Sequence, residues 1–245
     1  MNILMIRVGS ILSLFRYKVW INVLLVRLGI REILPGYIVG RKRIKENGDP
    51  LVNLLEYGEL SYAAECHRQG GCWVRKTVAE KLLQVAASLS EGYSLHLYEG
   101  WRSQEAQQKY WEAGLLKARE KYPEKSEEEI SRLVRLAIAS PSSRIPPHQT
   151  GGAVDLSLTL NGQPVDMGTS YLEFTDLTKS NALGLAGAVR INRNLLLSAM
   201  KQAGFQNYPA EWWHYSFGDQ AWAAYQRKRF ALYGQIQPPM ASNKV

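Results

Sequence analysis

At 245 residues, with 46% hydrophobic and 21% charged side chains, the chain can bury one sizeable core, and no internal repeat or low-complexity tract divides it. The formal net charge of +8 has the sign of a nucleic-acid binder, yet it is concentrated: residues 1 to 45 hold nine basic side chains, from Arg7 to Lys45, against the single acid Glu32. The remainder is neutral on balance and has no basic footprint or stacked aromatic platform, which excludes nucleic-acid binding as its first reading.

The organisation expected is a basic N-terminal extension over 1–45, a catalytic domain over 46–240 and a tail over 241–245. Within the extension the uncharged run Val19 to Val26, which no other run there exceeds, is far short of the roughly 20 apolar residues that span a bilayer. An uninterrupted apolar core followed by a small-residue cleavage site is also missing, so the expectation is a cytoplasmic protein without a signal peptide. Two readings remain for a basic amphipathic helix there, packing on the domain or contact with a membrane surface, and packing takes precedence. Cys66 and Cys72 flank His67 with too few ligands for a structural zinc site. They read as two free thiols, with a local disulfide as the rival in an exported protein.

Thr77-Val78-Ala79-Glu80 has the form of a capping box, and Leu82, Val85, Ala86 and Leu89 follow at helical spacing, predicting a helix over 78–90 stopped by Gly92. Tyr93 to Tyr98 alternates as a strand and delivers Glu99-Gly100-Trp101-Arg102 to its C-terminal end. Ser103 then caps a helix carrying Tyr110 and Leu115. A second capping box, Ser126 to Glu129, opens a helix to about Ala139, with Leu133, Leu136 and Ala137 on its apolar side. Pro146 and Pro147 set an extended approach to His148, and Gly151-Gly152 lets the backbone turn tightly before a strand. In that strand Val154, Leu156, Leu158 and Leu160 share one face and Asp155, Ser157 and Thr159 the other, so Asp155 points away from the aliphatics. Asn161-Gly162 suits a hairpin turn, with a return path from Val165. A helix is expected from about Asn192 to Ala203, ended by Gly204. Pairing of Trp212–Phe217 with the Asp155 strand would bring His214 beside His148 and Asp155.

Those three residues are the candidate metal ligands. Two imidazoles and a carboxylate close three corners of a tetrahedral zinc site, and a fourth corner left to water makes such a site catalytic. One zinc per chain is expected, with a small peptide as substrate. Glu211, three residues before His214, is placed to take a proton from the attacking water and pass it to the leaving amine. Arg102 is the candidate cation for the negative charge that develops on the carbonyl oxygen. Each residue also has a plainer role: Asp155 capping a turn, Glu211 solvated, Arg102 paired with Glu99 or Glu105 at the surface, and Trp212 and Trp213 packing. His67 and His96 keep the plain reading. The joint pattern carries the assignment: histidine and aspartate flanking a diglycine before an alternating strand, with Glu-x-x-His far downstream.

The segment His148-x-x-Gly-Gly-Ala-x-Asp155, the follow-on Asp166-Met167-Gly168-Thr169, the motif Glu211-Trp-Trp-His214 and the strand end Glu99-Gly100-Trp101-Arg102 resemble the zinc D-alanyl-D-alanine dipeptidases of the VanX type, in order, from about Asn53 to Phe217. The resemblance implies an α+β fold of the DD-peptidase and hedgehog-like class: a small central antiparallel sheet flanked by helices, with the zinc site at its cleft. It implies zinc held by His148, Asp155 and His214, Glu211 as base and acid, Arg102 at the transition state, and D-Ala-D-Ala or a related peptidoglycan-type dipeptide as substrate. One departure stands out. After Met-Gly-Thr the family usually has an aromatic residue followed by an aspartate that holds the substrate's amino group, whereas Tyr171 is followed here by Leu172. Glu173 or Asp176 is the expected replacement; without one, a D,D-carboxypeptidase trimming longer D-Ala-ended peptides is the alternative. A non-catalytic zinc or wall-peptide binding module is the reading from a different class.

Overall fold

The computed structural model of the chain describes residues 21–22, 24–26, 33–58, 60–67, 70–135, 138–142, 146–173 and 175–238. Its elements, in chain order, are a single helical turn α1 (Gly36–Val39), strands β1 (Leu51–Asn53), β2 (Ser61–Tyr62) and β3 (Trp73–Arg75), and helix α2 (Lys76–Ser88). Strand β4 (Tyr93–Glu99), helices α3 (Gln104–Lys121) and α4 (Glu127–Val134), and strands β5 (Ala153–Leu160) and β6 (Gln163–Pro164) follow. Helix α5 (Gly187–Gln202), strands β7 (Gln206–Asn207) and β8 (His214–Ser216), and helix α6 (Gln220–Tyr225) complete the α+β fold.

The main sheet runs β2-β4-β5-β8-β7, with β6 folded onto β5 through the Asn161-Gly162 turn; β1 and β3 pair separately. Asn161 and Gly162 both adopt the positive φ that this two-residue turn demands, 50° and 77°. The expected antiparallel sheet is present except at one edge. There β2 pairs parallel to β4, because β3 and α2 carry the chain back to its starting end before β4 begins.

Apolar alternation on β4 and β5 places the core. Leu95 and Leu97 join Val154, Leu156 and Leu158 in one buried cluster with Val78, Leu82 and Val85 of α2 and Leu196 and Met200 of α5. The opposite face of β5 is also closed: Asp155, Ser157 and Thr159 are all buried. Tyr171 covers part of it, stacked on the Tyr98 ring with centroids 4.3 Å apart.

Helix starts depart from the sequence expectation where another segment supplies the cap. Helix α2 begins at Lys76 with no side-chain cap, and Thr77 lies inside it because the Asp49 carboxylate accepts the Thr77 amide at 3.1 Å. The capping box at Ser126 and Glu129 forms as expected, and Ser103 Oγ accepts the Ala106 amide at 3.1 Å. Helix α4 ends at Val134, earlier than expected, and Leu136 and Ala137 lie outside the described residues. Helix α5 starts at Gly187, earlier than its apolar period suggests, since one buried residue, Val189, anchors the first turn. Gly204 follows it with φ +88°, as a helix stop requires.

Most of residues 1–32, where the amphipathic helix was expected, lie outside the described residues. From residue 33 onward the chain packs on the domain. Leu34 and Ile38 form a small apolar cluster with Ala224, the Leu34 amide donates to the Tyr225 hydroxyl at 2.9 Å, and Ile44 bridges Ala231. No helix among the described residues is long and apolar enough to cross a membrane. Cys66 and Cys72 are free, buried thiols with their sulfurs 3.0 Å apart.

Arg75 ties Glu46 to Gly234, far along the chain. Its buried guanidinium meets both Glu46 oxygens at 3.0 and 3.1 Å and donates to the carbonyls of Thr150 and Gly234, while Glu46 also accepts the Gly234 amide. Burial would raise the Glu46 carboxyl, but the amides of Gly234 and Gly48 and then Arg75 outweigh it and hold it below its ordinary 4.5. A depressed carboxyl stabilises above its unfolded pKa and loses that contribution as pH falls through the folded value. Glu46→Gln is therefore expected to cost about 1 kcal/mol at neutral pH, kept small by partial exposure. Denaturant unfolding against pH should show the gap to wild type closing below about pH 4.

Candidate metal centre

His148 reaches the centre from a turn, Pro147–Thr150, whose first residues fix the entry and whose last leads into Gly151 at φ +68°. A Cβ at Gly152 would lie 2.4 Å from the Phe217 carbonyl, so the diglycine lets this turn sit directly against the β8 end. The His148 Nδ1–H donates to the Gly100 carbonyl at 2.7 Å. A carbonyl only accepts, so this bond fixes the tautomer and leaves the Nε2 lone pair facing Asp155 Oδ1 at 3.4 Å.

Asp155 and His214 are direct partners across β5 and β8, and His214 Nδ1 lies 2.9 Å from the same Oδ1. One nitrogen from each imidazole and one aspartate oxygen lie within 4.8 Å of one another. The expected ligand set is thus assembled, with all three side chains about nine-tenths buried. Burial alone would raise the Asp155 carboxyl; His148 and then His214 override it and hold it far below the carboxylate range.

The Glu-Trp-Trp-His segment is held as a rigid turn. Asn207 Nδ2 donates to the Glu211 and His214 carbonyls, both at 3.0 Å. Trp212 Nε1 donates to Thr169 Oγ1 at 2.8 Å, and the Trp213 carbonyl accepts the Leu156 amide at 3.0 Å. Both tryptophans are packing residues, 2% and 1% exposed, as expected. Glu211 Oε2 comes to 4.0 Å from His214 Nδ1, the nitrogen that faces the centre. Burial, then the negative charge of Asp155, push the Glu211 carboxyl well above its ordinary range, with Arg102 pulling the other way.

Arg102 stands beside the same carboxylate by way of a bulge. The β4–β5 register shifts between Leu97 and Glu99, so Glu99 falls opposite Asp155. A Cβ on Gly100 would lie 2.4 Å from the Trp73 carbonyl, which only glycine tolerates here. Arg102 pairs with both Glu99 oxygens, donates to Gln107 Oε1 at 3.0 Å, and lies over the Tyr110 ring at 4.3 Å. Its Nη2 is 3.8 Å from Asp155 Oδ2. The pairing with Glu99 weighed as a surface contact is real, but it is buried at the centre's edge. His96 keeps its plain role beside Ser61 Oγ at 2.8 Å.

Two partners escaped sequence reasoning. Tyr171 donates to Asp155 Oδ2 at 2.9 Å, so the two oxygens divide: Oδ1 faces the imidazoles and Oδ2 is held from outside. Gln107 is 1% exposed and braces Arg102 from the first turn of α3. The Asp166–Thr169 follow-on, two residues ahead of Tyr171, was the only available signal for the tyrosine. By contrast, Glu173 and Asp176 are exposed and engaged elsewhere, Glu173 with the Ser170 amide at 3.0 Å and Asp176 with Lys179 at 2.8 Å. Neither is among the residues that line the cleft.

Residues 62–233 match the peptidase M15 family model, described as D-ala-D-ala dipeptidase. Among curated proteins, a D-alanyl-D-alanine dipeptidase of Synechocystis sp. is 36% identical over 110 residues, covering 38% of this chain and 44% of that protein. One from Enterococcus faecalis is 32% identical over 136 residues, covering 53% of this chain and 64% of that protein. The chain thus spans about half the length of these curated relatives. Among solved structures, a VanY D,D-pentapeptidase in complex with Zn(II) aligns with a TM-score of 0.41 at 18% identity, over 66% of this chain and 82% of that one.

Outer hydrogen bonds to a ligating side chain commonly govern metal affinity by about 10- to 100-fold. Tyr171→Phe, which keeps the stack on Tyr98, is expected to weaken zinc binding by roughly that factor in competition with a chromophoric chelator. An unchanged affinity in a folded variant would remove Tyr171 from the centre.

Proposed function

Because the chain belongs to the peptidase M15, D-ala-D-ala dipeptidase family, we propose that it is a zinc peptidase that hydrolyses D-alanyl-D-alanine or a related peptidoglycan-type peptide. The observation that carries this reading is the convergence of His148, Asp155 and His214 with Glu211 at their side. Two imidazole nitrogens and one carboxylate oxygen are the donor set of a catalytic zinc site with an open position, and the tautomer of His148 is already fixed for it. A zinc ion held by these three residues would supply Lewis acidity and would lower the pKa of a bound water to about 7.

The chain's own residues supply the rest. Glu211 takes the proton of the attacking water and returns it to the leaving amine, a role that requires a carboxylate beside the centre but outside its ligand set. Arg102, locked by Glu99 and Gln107, presents a fixed positive charge towards the carbonyl oxygen as negative charge develops. Its preorganisation matters, because a cation already held in place does not reorganise during the reaction. Tyr171 keeps Asp155 Oδ2 occupied and so aims Oδ1 inward. A non-catalytic binding module has no use for Glu211 at this position, which favours the enzyme reading.

Zinc-loaded protein is expected to release D-alanine from D-Ala-D-Ala and to stop when a chelator removes the metal. Glu211→Ala should keep stoichiometric zinc by elemental analysis while turnover falls about 10²- to 10⁴-fold. Full turnover in that variant would reject the base assignment, and a stoichiometric peptide complex that never turns over would favour the binding module.

A further inference from the structure

Cys66 and Cys72 lie in the apolar cluster that contains Leu95 and Leu97 of β4, and the peptidase chemistry uses neither. Their sulfurs are 3.0 Å apart, about 1 Å more than a disulfide bond, and Cys66 Sγ is also 3.3 Å from the Leu97 carbonyl oxygen. The backbone imposes this contact. The Cys66 amide donates to the Ala63 carbonyl at 3.1 Å, and the Ala63 amide donates to the Leu97 carbonyl at 2.8 Å. On the other side, Asn53 Oδ1 accepts the Cys72 amide at 3.0 Å, and the Cys72 carbonyl accepts the Leu54 amide at 2.8 Å. Between the two, Gly70 and Gly71 turn the chain back at φ +71° and +147°, and a Cβ on Gly71 would lie 2.6 Å from the Asn53 side chain.

Cys72 directly precedes β3, and β3 supports the edge of the metal centre. The Trp73 carbonyl accepts the Trp101 amide at 2.6 Å, and Gly100 packs so closely on the same carbonyl that a Cβ there would lie 2.4 Å away. Gly100 in turn accepts the His148 Nδ1–H, and Arg102 follows two residues on. One residue from the sulfur pair, the backbone therefore bears the stretch that orients a metal ligand and delivers the cation. Contact with the Cys66 sulfur, then burial, push the Cys72 thiol well above its ordinary 9.0, and the charge of nearby Glu99 adds to this. Such a thiol stays protonated at neutral pH and reacts during brief local openings, not as a standing thiolate.

We infer that Cys66 and Cys72 form a redox pair: they close to a disulfide by exchange with a low-molecular-weight disulfide, and closure braces the Trp73 carbonyl on which Gly100–Arg102 rests. In the exchange one cysteine sulfur attacks the small disulfide, forming a mixed disulfide and releasing one small thiol. The second cysteine then displaces the other small thiol, so one sulfur–sulfur bond breaks, one forms, and the two protons leave on the released thiols. The inference does not depend on the peptidase reading. Its test compares the full chain equilibrated with oxidised glutathione and with dithiothreitol. The oxidised sample is expected to be lighter by two hydrogens, to take up no alkylating agent after unfolding, and to melt about 4 °C or more higher. Hydrogen exchange at the Trp101 amide should slow about tenfold. Cys66→Ser should abolish all of these differences, and Cys66→Ala serves the same purpose if the serine variant does not fold. Two alkylated thiols, or stable glutathione adducts, in the oxidised wild type overturn the redox pair. A disulfide that forms without slowing exchange at Trp101 overturns the brace.

Discussion

The pairing of Asp155 with His214 across β5 and β8 is the constraint on which the cleft depends. Side chains alternate along a strand, so a slip of one residue would turn Asp155 into the aliphatic core and bring Val154 or Leu156 to the centre. The register is fixed from both directions. Val154, Leu156 and Leu158 have no exposure to lose, and the Trp213 carbonyl accepts the Leu156 amide just beyond the paired residues. The hydrophobic effect that stabilises the sheet therefore also sets the position of the donors, and no separate device is needed to bring the aspartate and the second histidine together.

Around that pair the polar groups are arranged in a chain of supports. His148 leans on Gly100, Asp155 on Tyr171, Arg102 on Glu99 and Gln107, and the Glu211–His214 turn on Asn207. Each support is buried or partly buried, where hydrogen bonds are strong and unmet groups are costly. Much of the support arises at two places where the backbone departs from regular geometry, the bulge at the end of β4 and the diglycine before β5. The first brings Glu99 opposite Asp155; the second seats the His148 turn against β8.

The chain ahead of the family match takes part in this architecture. Leu34 to Gly40 is a short apolar stretch that could not hold its position alone, and α6 provides the surface on which it rests. Helix α6 follows β8 after a short link capped by Asp219, so this stretch, which lines the cleft, and the metal centre share one support. Arg41, Lys42 and Arg43 directly follow this cleft-lining segment in the chain.

Local chemistry in the sequence determined much of this protein. Strict alternation in 153–160, the Ser103 and Ser126 caps and the Asn161-Gly162 turn each act over a few residues and each forms, and the residue types at His148, Asp155 and His214 were legible as possible metal donors. Only the tertiary structure decided the rest, because the partners come from far along the chain. Asp49 displaced the Thr77 cap and Tyr171 found the outer oxygen of Asp155. Glu173 and Asp176 turned outward, and Leu34–Gly40 became a cleft wall. Periodicity says which face of a strand or helix is apolar, but which distant group meets a given polar atom is set by how the packed elements close around it.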